Sequence, residues 1–261
     1  MLWAQPFDRR DVEVEVVNDR GRSFPQYPLR QDRKPAVYKA HLEAMHGSRY
    51  SIQIRNRSNQ RVGVVIAVDG RNIITGKRSH LRSSERMYIL EPHQQETYEG
   101  WRTDKNRVNR FYFTDAGDSY AGAWGDYSAL GVIAVAAFQE ATSYRPPQSQ
   151  PWSEGRQEDR RGDEPRQQSA PAAAGAPRSL RAAPGTGYGE SEWSPSRQVE
   201  FEPQRQPMAQ FFLKYAWRDT LCRQQIIDCD GGDRRRSPHN RFWDEKDDYA
   251  PPPPRHDRQF D

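Results

Sequence analysis

The sequence predicts an all-β protein: an antiparallel β-sandwich, a disordered linker, and a short C-terminal β-segment that docks back on the sandwich. Three observations carry this. Apolar residues recur at every second position through the first half of the chain, as in Val12, Val14 and Val16, which is the period of a strand with one buried face. Asp69-Gly70 separates two apolar runs, and this pair tolerates the positive φ that a tight hairpin demands. Apolar segments at 87–90, 95–101, 107–113 and 131–138 then follow at intervals of roughly ten residues, the spacing of a sandwich or barrel, of which the sandwich is preferred. Helical periodicity is absent before residue 140.

Residues 1–36 read as an N-terminal strand, a turn at Asn18-Asp19-Arg20-Gly21, and an extended connection punctuated by Pro25 and Pro28. The sandwich is expected over 37–144. Its segment 37–44 alternates, His46-Gly47-Ser48 breaks it, and Tyr50, Ile52 and Ile54 resume with polar Ser51, Gln53 and Arg55 between them. One wet face is typical of an antiparallel sheet. Residues 62–68 are apolar on both faces, so this strand is expected to be central and covered from both sides. Residues 73–75 are read as the returning strand of the Asp-Gly hairpin.

From 145 to 185 the composition turns to Pro, Gln, Arg, Ser and Ala, with too little apolar area to offset the entropy of ordering. A disordered linker is predicted there, and a disordered Pro-rich tail over 246–261. In the segment 186–245, Val199 and Phe201 suggest a short strand, and Phe211, Leu213, Tyr215 and Trp217 alternate as a second. Two strands do not fold alone. They are expected to cover an edge of the sandwich, in the same chain or in a neighbouring copy, which would make a homo-oligomer.

The 261-residue chain is 34% hydrophobic and 29% charged, and its mean hydropathy of -1.09 fits a folded part diluted by polar segments. It opens with no apolar stretch behind a basic start, and no run reaches the ~20 apolar residues of a membrane span. A soluble cytoplasmic protein is the expectation, with signal-independent export as the other route. The net charge of +4 rests largely on arginine, which suits polyanion binding but also follows from GC-rich coding.

The densest candidate site is the loop 114–128, where Asp118, Tyr120, Trp124, Asp126 and Tyr127 offer aromatic faces beside carboxylates, a combination suited to a protein or glycan partner. The competing reading is a loop that caps the core with Tyr120 and Trp124. A second candidate is the basic loop carrying Lys77, Arg78, Arg82 and Arg86. With Arg102, Arg107 and Arg110 it could hold phosphates, Trp101 or Tyr112 stacking on bases; the competing reading is a solvated loop. Gly76-Lys77-Arg78-Ser79 lacks the glycine-rich run of a nucleotide loop.

No catalytic residue and no cofactor is assigned. His41, His46, His80, His93, His239 and His256 are scattered, and solvated histidines are expected. Cys222 and Cys229 with His239 invite a zinc reading, but the gap of six residues between the cysteines exceeds the usual spacing. Asp228, Asp230 and Asp233 resemble part of a calcium loop without its bidentate glutamate. A hairpin pair of thiols, bonded or free according to compartment, is preferred, and no metal is assigned.

The runs at 64–76, Tyr98-Glu99-Gly100-Trp101-Arg102, Phe111-Tyr112-Phe113-Thr114 and Gly131-Val132-Ile133-Ala134-Val135 resemble a group of uncharacterised bacterial β-domain proteins over roughly 37–140. The resemblance implies a bacterial origin and one domain, and it carries over no activity and no site residue. The functional expectation is a non-catalytic bacterial β-sandwich interaction or structural module that binds a protein or glycan through the loop 115–128. The alternative is polyanion or nucleic-acid binding through the Arg-rich loops.

Overall fold

The period-two segments become strands. In chain order these are β1 (Val12–Asn18), β2 (Gln26–Pro28), β3 (Val37–Ala44), β4 (Arg49–Asn56), β5 (Val62–Val68), β6 (Arg71–Asn72), β7 (Tyr88–Leu90), β8 (Gln95–Tyr98), β9 (Gly100–Arg102) and β10 (Arg107–Asp115). After a short helix α1 (Tyr120–Ala123) come β11 (Val132–Gln139), β12 (Pro184–Thr186), β13 (Ser191–Trp193), β14 (Ala209–Trp217) and a second helix α2 (Arg218–Arg223). The structure, a computed structural model, describes residues 11–29, 36–141 and 183–229. The Pro-rich tail and the linker up to residue 182 lie outside the described residues.

The protein is all-β, with two seven-stranded sheets. The first runs β1-β4-β10-β12, with β8 also on β4 and β9 and β13 on β10; the second runs β2-β3-β14-β11-β5-β6, with β7 on β5. One apolar core joins them, drawing Val16, Tyr50, Ile52, Ile54, Phe111 and Phe113 from the first sheet and Leu42, Val64, Ile66, Ile133, Leu213 and Tyr215 from the second. Every residue of β5 is buried, as its two apolar faces predict. Val64 and Ile66 enter the shared core, while Val65 joins Ala136 and Phe138 in a smaller cluster roofed by Leu81 and Met87.

The C-terminal segment returns to the sandwich, but its longest strand does not go to an edge. β14 lies inside the second sheet, parallel to β3 with Leu213 opposite Ala40, and antiparallel to β11 with Leu213 opposite Ile133. Both of its backbone edges are therefore occupied within the chain, and the sheet is mixed. β1 pairs along its whole length with β4, so the N-terminal strand is part of the first sheet.

Four local expectations are corrected. Residues 73–75 form a turn: the Asn72 side-chain oxygen accepts the backbone N–H groups of Ile74 at 2.9 Å and Thr75 at 3.3 Å, and such local bonds compete with a ladder. Val199 and Phe201 form no strand; Phe201 packs over Gly63 beneath the Arg61 guanidinium, and the strands that accompany β14 in this segment are β12 and β13 instead. Residues 184 and 185, expected in the linker, thus belong to the first sheet. His41 is not solvated. It is 8% exposed because β2 and β14 flank β3 on both sides, and burial, followed by the charge of Lys214, lowers its pKa.

The Asp69-Gly70 hairpin forms as expected, with φ of 49° and 78° and Val68 opposite Arg71. Asp69 is also fully buried. Its carboxylate accepts the Gly131 and Thr186 N–H groups, each at 2.7 Å, and the Tyr215 hydroxyl. Thr186 Oγ1 bonds the hydroxyls of Tyr215 and Tyr50 in turn. One carboxylate therefore links the hairpin, the entry to β11, β12 and β14, and through Tyr50 it reaches β4. Burial raises its pKa to about 6, against the opposing pull of these hydrogen bonds.

Near the C-terminal end of the described residues, Cys222 and Cys229 are joined in a disulfide, which leaves neither thiol to ligate zinc. His239, Asp230 and Asp233 lie outside the described residues. Among the described residues, no helix is long and apolar enough to cross a membrane.

Candidate binding surface

The two loops that the sequence offers as separate candidates meet. The loop after β10 is partly helical: a 3-10 turn at Ala116–Asp118 leads into α1, whose N-cap Ser119 accepts the Gly122 N–H at 3.0 Å and donates to Ala116 O at 2.8 Å. The periodicity of so short a helix is not readable, and the cap residue was its only signal.

This turn places Tyr120 and Trp124. Tyr120 packs on the buried Trp101 with ring centroids 4.4 Å apart, stacks with Tyr188 at 5.6 Å, and meets Trp124 edge-on at 6.4 Å. Trp124 is 43% exposed and Tyr188 46%. The capping reading thus describes Tyr120, which is packed against the core, while Trp124 presents its ring to solvent. Tyr188 was missed, since it follows directly on the expected linker in a stretch of small and polar residues. It is held on both sides: the Gly187 N–H donates to Tyr112 O at 2.8 Å, the Gly189 N–H to Arg110 O at 2.9 Å, and Trp101 Nε1 to Gly187 O at 3.0 Å.

The basic loop supplies the other wall. The Arg71 guanidinium sits 5.3 Å from the Trp124 ring centroid, a cation–π arrangement, and donates to Gly76 O at 2.8 Å. Arg78 Nε donates to the buried Asp126 carboxylate at 3.1 Å, and Arg71 Nη2 lies 3.8 Å from the same group. Burial acts to raise the Asp126 pKa, but the bonds from Arg78 and Ser128 outweigh it and hold the carboxyl at about 2. Asp126 is therefore an ionised strut joining the loops. Tyr127 is half-buried, its hydroxyl donating to Gly122 O at 3.5 Å. Asp118 is exposed on the 3-10 turn.

Elsewhere the basic set is dispersed. Lys77, Arg82, Arg86 and Arg107 are exposed. Glu85 organises the loop from within, accepting from Ser79 Oγ and from the backbone of His80 and Arg82. Arg102 donates to the Tyr88 hydroxyl and to Ser194 O. Arg110 is 7% exposed and pairs with Asp19, Glu99 and Glu192, so its charge faces carboxylates. Trp101 is buried and cannot stack on a base. Among the described residues, no three His, Cys, Asp or Glu side chains gather to hold a metal.

Gly76 fits the aromatic group to the basic loop. Its φ is +68°, and a Cβ there would stand 2.5 Å from the Tyr120 hydroxyl oxygen. Gly76→Ala is expected to destabilise the protein by about 1–3 kcal/mol, the usual range for a side chain held in a sparsely populated backbone region, and to push Tyr120 out of its stack. Urea unfolding with tyrosine and tryptophan fluorescence measures both; an unchanged midpoint and spectrum would show that the loops are not in contact.

Comparison with protein-family models finds no match, and comparisons with curated proteins and with solved structures find no similar protein.

Proposed function

We propose that the protein is a non-catalytic β-sandwich binding module whose ligand is a glycan, engaged by the rings of Trp124 and Tyr188. The observation that carries this reading is the pair of exposed aromatic rings on a rigid base, Tyr120 over buried Trp101, with both flanking segments tied by backbone hydrogen bonds. Sugar rings have apolar C–H faces that lie flat on exposed aromatic rings, and rings fixed before binding lose little entropy when the ligand arrives. Asp126, held ionised by Arg78 and Ser128, is suited to positioning and not to proton transfer at neutral pH.

The test is a titration of soluble oligosaccharides followed by tryptophan fluorescence, with wild type beside the double variant W124A/Y188A. Both rings are partly solvent-facing, so the variant is expected to keep its fold while glycan affinity falls at least tenfold. Equal affinity in the two proteins would place any binding elsewhere.

A further inference from the structure

The glycan surface carries more positive charge than the strut uses. We infer that its ligand is an acidic oligosaccharide, whose ring stacks on Trp124 while a carboxylate or sulfate oxygen pair is taken by the Arg78 fork; this rests on the glycan reading above. Three cations wall the site, Arg71 on β6 and Lys77 and Arg78 on the loop that follows it, and Asp126 is a carboxylate shared by Arg71 and Arg78. Arg78 spends only Nε on Asp126. Its side chain is 59% exposed, and among the described residues neither Nη atom has a partner. The neighbouring Lys77 is exposed as well.

The Asp126 bond holds the stem of Arg78, so the two Nη groups are already oriented. A planar fork with two parallel donors matches an oxyanion in bidentate fashion. The backbone beneath is equally fixed: Asn72 N donates to Lys77 O and Gly76 N to Asn72 O, and Arg71 and Arg78 face each other across an isolated bridge. Stacking face and anion fork thus belong to one preformed unit.

Aromatic rings beside arginines would also suit single-stranded nucleic acid, but such binders line a track of cations along successive phosphates. Here Arg102 is committed to Ser194 and Tyr88, and Arg110 is enclosed by carboxylates from Asp19, Glu99 and Glu192. Beyond Tyr188, Glu190 pairs with Arg49 and Glu192 with Arg110, so these two arginines offer no free charge to a following phosphate. An acidic sugar fits this layout better than a phosphate chain.

The full chain is titrated with trigalacturonate, a sulfated galactan oligosaccharide, a neutral galactan oligosaccharide and oligothymidylate, at low and at physiological salt. At least one acidic sugar is expected to bind tenfold or more tighter than the neutral one. R78Q is expected to shrink that preference below threefold, and R78K, which keeps the charge but has no fork to serve Asp126 and the ligand together, to restore only a minor part of it. Neutral and acidic sugars bound alike would overturn the inference and leave the aromatic site standing. No sugar bound at all would overturn both. Oligothymidylate bound tighter than either acidic sugar, with affinity falling steeply as salt rises, would replace the acidic glycan with nucleic acid.

Discussion

A chain that stops after residue 141 is expected not to fold. β14 is the central strand of the second sheet, so removing it leaves β3 and β11 facing each other across an empty strand position. It also removes Phe211, Leu213 and Tyr215 from the shared core. Burying one such side chain contributes about 1.5–3 kcal/mol. The three together approach the whole stability of an ordinary domain, about 5–15 kcal/mol, before the lost ladder bonds are counted. Within the intact chain, Leu213→Asp places an unpaired charge at a fully buried position and is expected to have the same outcome. Urea unfolding followed by circular dichroism decides it: neither protein should show the sigmoidal transition of wild type. A truncated chain as stable as the full one would mean that β14 is an accessory.

The reason β14 is not an edge strand bears on what sequence can reveal. Its alternation of Phe211, Leu213 and Tyr215 was legible, and so was the conclusion that two strands need a host. Where it inserts was not, because pairing is set by partners far away: Leu213 meets Ala40 and Ile133, and no local pattern encodes that choice. β5 shows the opposite case. Its uninterrupted apolar run specified burial on both faces, since period and composition are local properties. The site was half legible for the same reason. Trp124 and Asp126 stand out within one loop, whereas Tyr188 becomes part of the surface only when the segment after β12 is laid beside Tyr120. The arginines were the least informative. A basic side chain looks alike in sequence whether it faces solvent, as Arg78 does, or three carboxylates, as Arg110 does.

Asp69 is the sharpest instance, because its role in the turn concealed its role in the core, and it makes stability depend on pH. Its pKa is raised from 3.8 to about 6 by burial. Between those values the folded protein holds a proton that the unfolded chain has released, so stability falls as pH rises. The contribution is fully present below 3.8 and is lost as pH climbs through 6. A shift of this size corresponds to about 3 kcal/mol. Asp69→Asn cannot ionise, so this slope should vanish, although Gly131 and Thr186 donate to different carboxylate oxygens, so its amide NH2 must face one of these two N–H groups and costs about 1–3 kcal/mol throughout. Subtracting the urea-derived stability of D69N from that of wild type cancels the other titrating groups that the substitution leaves undisturbed. The difference is expected to favour wild type most at pH 4 and to decline by about 2 kcal/mol by pH 7.5, with most of the change complete once Asp69 is ionised. A difference that stays flat across this range would mean that the carboxylate is ionised in the fold throughout, its hydrogen bonds from Tyr215, Thr186 and Gly131 having outweighed burial.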